Sequence, residues 1–362
     1  MPDQGTPGRA APGAGGSGAG IADRVRLFGL LSSTWLAQSC YALAKLGVPD
    51  LLAAGPRSVA ELAEETGTNR QALGRVLRAL SAAGVLTAAG EASYELTPMG
   101  HLLRTGVPRS SHDAAVMFGE EVFRSFAEIT YTLRTGKPAF EKVYGQPFYD
   151  YLADNQDAAQ TFAAAMGDGP VPTALATCDL TGLRRLVDLG GGNGGLIGRV
   201  LRAQPQATGV LVDLPPAIAQ ARERLATAGV ADRVEFVTGS FFEELPAGAD
   251  VYVLSRVLHN WDDGDAVRIL RQVRTAIPST GRLLVFEELI EQPESPAPDG
   301  PGPAAAGAHV IDLLILLMLP GSDRTSAQYA ELLGQAGFDV KAVRSGPLRA
   351  RQAESVIEAV PR

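Results

Sequence analysis

Cysteine is nearly absent from the chain: 362 residues hold two, Cys40 and Cys178. They lie far apart, so neither a disulfide framework nor a cysteine zinc site is indicated, and such thiol usage suits a reducing cytoplasm. Positive charge is in deficit, with 32 Lys and Arg against 40 Asp and Glu, a formal net charge of −8. A generally acidic chain is a poor nucleic-acid binder, although a local basic face stays possible. Long apolar runs are missing too. Val310–Leu319 is the most apolar stretch, but it contains Asp312 and is too short to span a bilayer. Residues 1–20 are rich in Gly, Ala and Pro without an apolar core; they read as a disordered tail, not a signal peptide.

With 46% hydrophobic residues, the length fits two domains. Over 21–110 the pattern is helical. Ile21–Leu46 repeats apolar residues at Leu27, Leu30, Leu31, Trp35 and Leu43, and Gly47-Val48-Pro49 stops it. Ser58-Val59-Ala60-Glu61 and Thr68-Asn69-Arg70-Gln71 read as capping boxes. Val85-Leu86 and Tyr94–Leu96 around Gly90 form a small hairpin, and Thr97-Pro98 opens another helix. Helix-turn-helix plus wing is a winged-helix pattern. Its second helix carries Arg70, Arg75 and Arg78, which serve either as solvated charge on a structural, dimerising domain or as DNA contacts; overall acidity favours the former. Apolar faces on these helices call for a partner, hence an expected homodimer.

Residues 111–175 form a helical connector dense in rings, among them Phe118, Phe123, Phe126, Tyr131, Phe140, Tyr144, Phe148, Tyr149, Tyr151 and Phe162. Each is either core or the wall of an apolar ligand pocket. From 176 to 362 strands alternate with helices. Strand candidates are Leu186–Leu189, Val210–Asp213, Val234–Thr238, Val251–Leu254 and Arg282–Glu287; Ala217–Ala228 and Asp265–Ala276 are helical, and the last helix and strands lie in Ser326–Val360. Alternation of this kind gives an α/β, doubly wound, mainly parallel sheet, with ligands beyond the carboxyl ends of the strands. Glu291–Ala308 reads as a Pro/Gly/Ala-rich loop.

The chemistry concentrates at those strand ends. Leu186–Leu189 runs into Gly190-Gly191-Gly192-Asn193-Gly194-Gly195 and then a helical pattern, the strand, turn and helix of a nucleotide site. Gly190, Gly192 and Gly195 satisfy G-x-G-x-x-G. The next strand ends in Asp213, about 20 residues on, as ribose recognition requires. That acid suits NAD and S-adenosylmethionine equally. No Tyr-x-x-x-Lys hydride-transfer constellation accompanies it. After the fourth strand comes Ser255-Arg256-Val257-Leu258-His259-Asn260-Trp261; the imidazole of His259 is the side chain here that can take a proton from a phenol. Glu287 ends the next strand and can orient that ring. Asp323 stands in the turn Pro320-Gly321-Ser322-Asp323-Arg324-Thr325.

These residues make the chain resemble the S-adenosylmethionine-dependent O-methyltransferases with a winged-helix-like dimerisation domain, the plant caffeate-type and bacterial natural-product enzymes. The resemblance runs from about Val25 to the C-terminus. It rests on Asp188–Gly194, Val212-Asp213-Leu214-Pro215, Gly239-Ser240-Phe241-Phe242, Leu258–Asp262, Gly321–Thr325 and Ala336-Gly337-Phe338. It implies S-adenosyl-L-methionine as cofactor, with no metal, and a small aromatic acceptor bearing a phenolic hydroxyl. Gly190 and Gly192 would meet the cofactor, Asp213 its ribose, Ser240 and Phe241 its adenine, and Ser255 its amino-acid end. His259 matches the general base, Glu287 and Asp323 the flanking acids, Phe162 and Met166 the acceptor pocket. Many relatives have an acid at the place of Ser240; plant members have Lys for Ser255, Glu for Asp323 and Asp for Asn260. Two other functions stay open: the same fold used for hydroxylation, decarboxylation or a pericyclic step, and a winged-helix regulator.

Overall fold

The computed structural model describes residues 16–167, 171–290, 303–347 and 354–362, in two compact units, Met1–Ala115 and Val116–Arg362. Most of the expected tail lies outside the described residues. Helix α1 (Gly16–Lys45) begins before Ile21, so residues 16–20 belong to it; extending a nucleated helix fixes one residue per added bond. β1 (Arg57–Ser58), α2 (Val59–Thr66), α3 (Arg70–Ala82), β2 (Leu86–Ala88) and β3 (Ser93–Leu96) follow, with strand order β1-β3-β2, all antiparallel. The wing therefore has a third strand that was too short to leave a pattern.

Ser58 and Glu61 make the expected capping box. Thr68 does not: α3 is capped by Asn69, whose side chain accepts from the Ala72 N–H at 3.0 Å, while the Thr68 hydroxyl pairs with Thr66. Asparagine is the stronger N-cap, and one residue of register decides between them. Leu43, Leu62, Leu77 and Leu80 close the core of this unit. On α1 the stripe Val25, Phe28, Leu31 and Trp35 stays 60–66% exposed.

In the second unit, α4 (Phe148–Asp154) and α5 (Gln156–Gly167) end the ring-rich connector. The sheet follows: β4 (Arg185–Leu189), β5 (Thr208–Asp213), β6 (Val234–Thr238), β7 (Val251–Ser255), β8 (Arg282–Glu288), β9 (Phe338–Ser345) and β10 (Glu354–Pro361), in order β6-β5-β4-β7-β8-β10-β9. All five expected strands form, within two residues of their expected ends. Only β10 runs against its neighbours. β4 and β7 are apolar and buried because helices cover both faces. The order in which strands are added reverses between β4 and β7, which run parallel and pair Leu189 with Leu254, so the glycine turn and the segment after Ser255 emerge side by side. Of the expected loop Glu291–Ala308, residues 291–302 lie outside the described set. Pro303–Ala308 opens α6 (Pro303–Met318): proline at a first helical position and a run of alanines favour helix.

Candidate active site

The turn after β4 is shaped by left-handed backbone. Gly190 has φ +68° and donates its N–H to Val212 O at 2.8 Å; a Cβ there would fall 2.8 Å from Val257 Cγ2. Gly192 has φ +56°, and a Cβ there would meet nothing within 4 Å. Side chains are thus excluded by contact at one glycine and by backbone conformation at the other. Asp213 accepts the Gly192 N–H on Oδ2 at 2.7 Å and the Leu214 N–H on Oδ1 at 2.6 Å. Each oxygen keeps a lone pair, a pair of acceptors to which the two hydroxyls of a vicinal diol can donate. Burial raises the Asp213 carboxyl above the usual range, with those two N–H groups opposing. Beneath the turn Asp188 is fully buried, and burial, with Asp213 nearby, raises it to about 7.

Ser240 caps its own turn, its Oγ accepting the Phe242 N–H at 3.2 Å. Phe241 packs edge-on to Trp261 and lies beside Gly190. Ser255 is the half-buried last residue of β7. A cavity of about 610 Å³ lined by Asn193, Gly195, Arg202 and Glu223 opens on the helical side of the glycine turn and shares no residue with the His259 cluster.

Past Ser255 the chain turns sharply. Arg256 adopts φ +56°, a strained conformation for a residue with a side chain, and its N–H donates to Phe286 O at 2.9 Å. A short turn, Leu258–Asn260, then carries His259, 7% exposed. Its Nδ1 lies 3.2 Å from Glu287 Oε2 and 3.4 Å from Asp323 Oδ1. Both acids are buried, at 0% and 3% exposure. Glu287 Oε1 also accepts the N–H of Leu258 at 3.0 Å and of His259 at 3.4 Å, so one carboxylate grips the turn and faces the ring. Burial raises Glu287, while His259 and then Arg256 pull it back down. The Asp323 N–H donates to Asp312 Oδ1 on α6 at 3.0 Å. These are close approaches and not aligned hydrogen bonds, since Glu287 Oε2 and both Asp323 carboxylate oxygens are without a hydrogen-bond partner among the described residues; two carboxylates this near Nδ1 favour the tautomer with its proton there, which leaves Nε2 as the acceptor nitrogen.

The structure thus brings His259, Glu287 and Asp323 into one cluster, and Gly190, Gly192 and Asp213 into another, both at strand ends. The two residues expected at an acceptor pocket divide. Phe162 packs edge-on to Phe148 at 5.1 Å and near Tyr149, whereas Met166 is 48% exposed at the end of α5. Tyr149 went unsingled in the sequence; it stacks on Trp261 at 5.3 Å and 17°, tying the connector to the His259 turn. Nor was Gly321 singled out, whose Cβ would sit 2.0 Å from His259 O. Arg324 stands in the same Gly321–Thr325 segment. The glycine and the charge are visible in the sequence, but nothing in one sequence tells which way they face.

A seven-stranded sheet with one reversed strand, a glycine turn after the first strand and an acid ending the second defines the class I methyltransferase fold. The chain matches the O-methyltransferase domain over residues 126–339 and the O-methyltransferase dimerisation domain over 28–106. It is 37% identical to the phenazine O-methyltransferase PhzM of Lysobacter antibioticus, over 92% of this chain and 95% of that one. It is 41% identical to the 8-amino-8-demethylriboflavin N,N-dimethyltransferase of Streptomyces davaonensis, over 83% and 86%. Among solved structures it is similar to the O-methyltransferase NcsB1 from neocarzinostatin biosynthesis, in complex with S-adenosylmethionine and 2-hydroxy-5-methyl naphthoic acid: TM-score 0.76, 34% identity, 90% of this chain and 96% of that one. The chain therefore belongs to the O-methyltransferase family with its dimerisation domain, as an S-adenosylmethionine-dependent enzyme of the bacterial natural-product type. No helix among the described residues is long and apolar enough to cross a membrane, and no cluster of metal-ligating side chains occurs among them.

Proposed function

We propose that the protein methylates a phenolic hydroxyl of a small aromatic acceptor, with His259 as general base. The observation that carries this is the buried His259 Nδ1 held between Glu287 and Asp323. The two acids orient the ring and stabilise its protonated form, and Nε2 takes the acceptor proton. The bound cofactor supplies an activated methyl on its sulfonium. Asp213 fits the ribose diol, Gly190 and Gly192 let the main chain approach, Ser240 and Phe241 flank the adenine, and Ser255 stands near the amino-acid end. Phe162 and Met166 line the acceptor side. Because a sulfonium methyl needs no further activation, positioning dominates, supplying up to about 7–11 kcal/mol, and the base adds about 10²–10⁴-fold.

The test supplies methyl-labelled S-adenosylmethionine with 2-hydroxy-5-methyl naphthoic acid, a phenazine phenol and an aromatic amine. Labelled methyl ether together with S-adenosylhomocysteine is expected. Label on the amine alone would overturn the phenolic reading; one relative at 41% identity is named as an N,N-dimethyltransferase, which gives nitrogen transfer its weight. A changed acceptor without S-adenosylhomocysteine would place the protein among repurposed members of the fold.

The same proposal includes a homodimer through the apolar stripe of α1. Four large side chains more than half exposed on one helix face form a patch that monomers rarely leave open. Sedimentation at micromolar concentration should give twice the chain mass, and Trp35→Glu should shift it to monomer. A monomeric wild-type chain would refute this.

A further inference from the structure

Arg324 follows Asp323 in sequence and is 3% exposed, and its side chain bonds to groups other than the imidazole. Its guanidinium is fully engaged. Nη1 donates to Leu258 O at 3.0 Å and to Ser322 O at 3.4 Å, Nη2 to Trp261 O at 2.7 Å, and Nε to Asp263 Oδ1 at 2.9 Å. One face lies over the Tyr329 ring at 5.8 Å. Three of the four acceptors are main-chain carbonyls. Two bracket His259 and the third precedes Asp323. The fourth, Asp263, has a side chain 78% exposed, and an ion pair so open to water contributes little. The side chain therefore acts chiefly on chain position.

Gly321 shows how close the two segments lie. Its Cα approaches the His259 carbonyl so nearly that a methyl would overlap it, at 2.0 Å. The base and its acid come from separate segments pressed together, and one planar fork spans them. A lysine ammonium keeps the charge but cannot reach three carbonyls in those directions.

We infer that Arg324 is a positioning residue for methyl transfer: by holding the carbonyls on either side of His259 and the one before Asp323, it keeps the imidazole and the acid at contact distance. This rests on His259 being the base.

The test is spectroscopic first, so that it needs no acceptor. The chain has four histidines; in protein labelled with ¹⁵N-histidine, the Nδ1-bound proton shared with the acids should resonate far downfield and vanish in His259→Gln. In Arg324→Lys it should move or broaden, with S-adenosylhomocysteine affinity kept within about twofold and unfolding still cooperative; in Asp263→Asn it should stay. With 2-hydroxy-5-methyl naphthoic acid, Arg324→Lys should lower kcat by about 10²-fold at unchanged KM, as expected for a misplacement of about 1 Å. Placed on His259→Ala, it should cost nothing more, because it acts through that ring. If the lysine variant does not fold, Arg324→Ala supplied with guanidinium at millimolar concentration should recover the resonance. An unshifted resonance in folded Arg324→Lys, or a full further loss on His259→Ala, would overturn the proposal alone. A wild-type chain lacking the resonance would overturn the imidazole–acid contact, and with it both the catalytic reading and this one.

Discussion

Two regions of the second unit, the strand ends and the ring-rich connector, are held in place by different forces. At the strand ends the main chain sets the geometry: positive φ at Gly190, Gly192 and Arg256, and N–H groups on Asp213 and Glu287. In the connector, rings set one another. Phe140 stacks on Tyr144 at 4.4 Å, Phe148 packs edge-on to Phe162, and Tyr149 closes the row on Trp261. Backbone placement fixes which atoms face a ligand and carries specific chemistry. Ring packing tolerates exchange of similar volumes and sets shape. Substitutions at the strand ends should therefore abolish particular steps, and those in the connector should grade a preference.

The largest effect should come from His259→Ala. Loss of the base predicts a fall in kcat of about 10²–10⁴-fold, with S-adenosylhomocysteine affinity by calorimetry nearly intact. A turnover number matching wild type would remove His259 from the chemistry and make the strand ends a binding site only. Gly190→Ala should do the reverse. Its methyl meets Val257 Cγ2 at 2.8 Å in a backbone region that costs alanine about 1–2 kcal/mol. Cofactor affinity should drop about tenfold or more while any saturated rate survives. Tight binding by this variant would show that the turn is softer than its contacts imply.

Asp188 gives an effect of intermediate size that is read in stability. Its carboxyl is raised from 3.8 to about 7 by burial and by Asp213. Between those values the folded chain holds a proton that the unfolded chain has lost. Stability from this group therefore decreases as pH rises from about 4 to about 7, by up to about 1.4 kcal/mol per unit, and levels off above. Asp188→Asn should remove that slope, with the gain in melting temperature larger at pH 8 than at pH 5. Equal shifts at both values would mean that the acid is already ionised when folded.

The same contrast explains what could be read beforehand. Strands β4, β5, β7 and β8 were legible because buried parallel strands are near-continuous apolar runs, three of which end at glycine or an acid; the edge strand β6, nowhere fully buried, was legible from its β-branched and aromatic residues before Gly239. The placement of His259, Glu287 and Asp213 was legible because strand ends share one rim. Arg324 and Asp312 were not, since their parts depend on the route of the chain after β8, where 291–302 breaks the pattern. Thr68 misled because a capping box one residue out of register looks as good as the true cap. Tyr149 was one ring among many, and helical spacing does not tell which ring meets Trp261.

The smallest effect should come from Met166, and it is the sharpest test of the connector side. Its side chain is 48% exposed at the end of α5, so Met166→Ala should change stability by no more than about 0.5 kcal/mol. If it lines the acceptor space, removing its apolar reach should raise the acceptor KM by up to about fivefold, roughly 1 kcal/mol, at unchanged kcat. Phe162→Ala provides the contrast, because that ring packs on Phe148 and lies near Tyr149, and its loss should lower stability as well as acceptor affinity. A KM insensitive to Met166→Ala across acceptors of different size would take Met166 out of the pocket and leave Phe162 as the wall on α5.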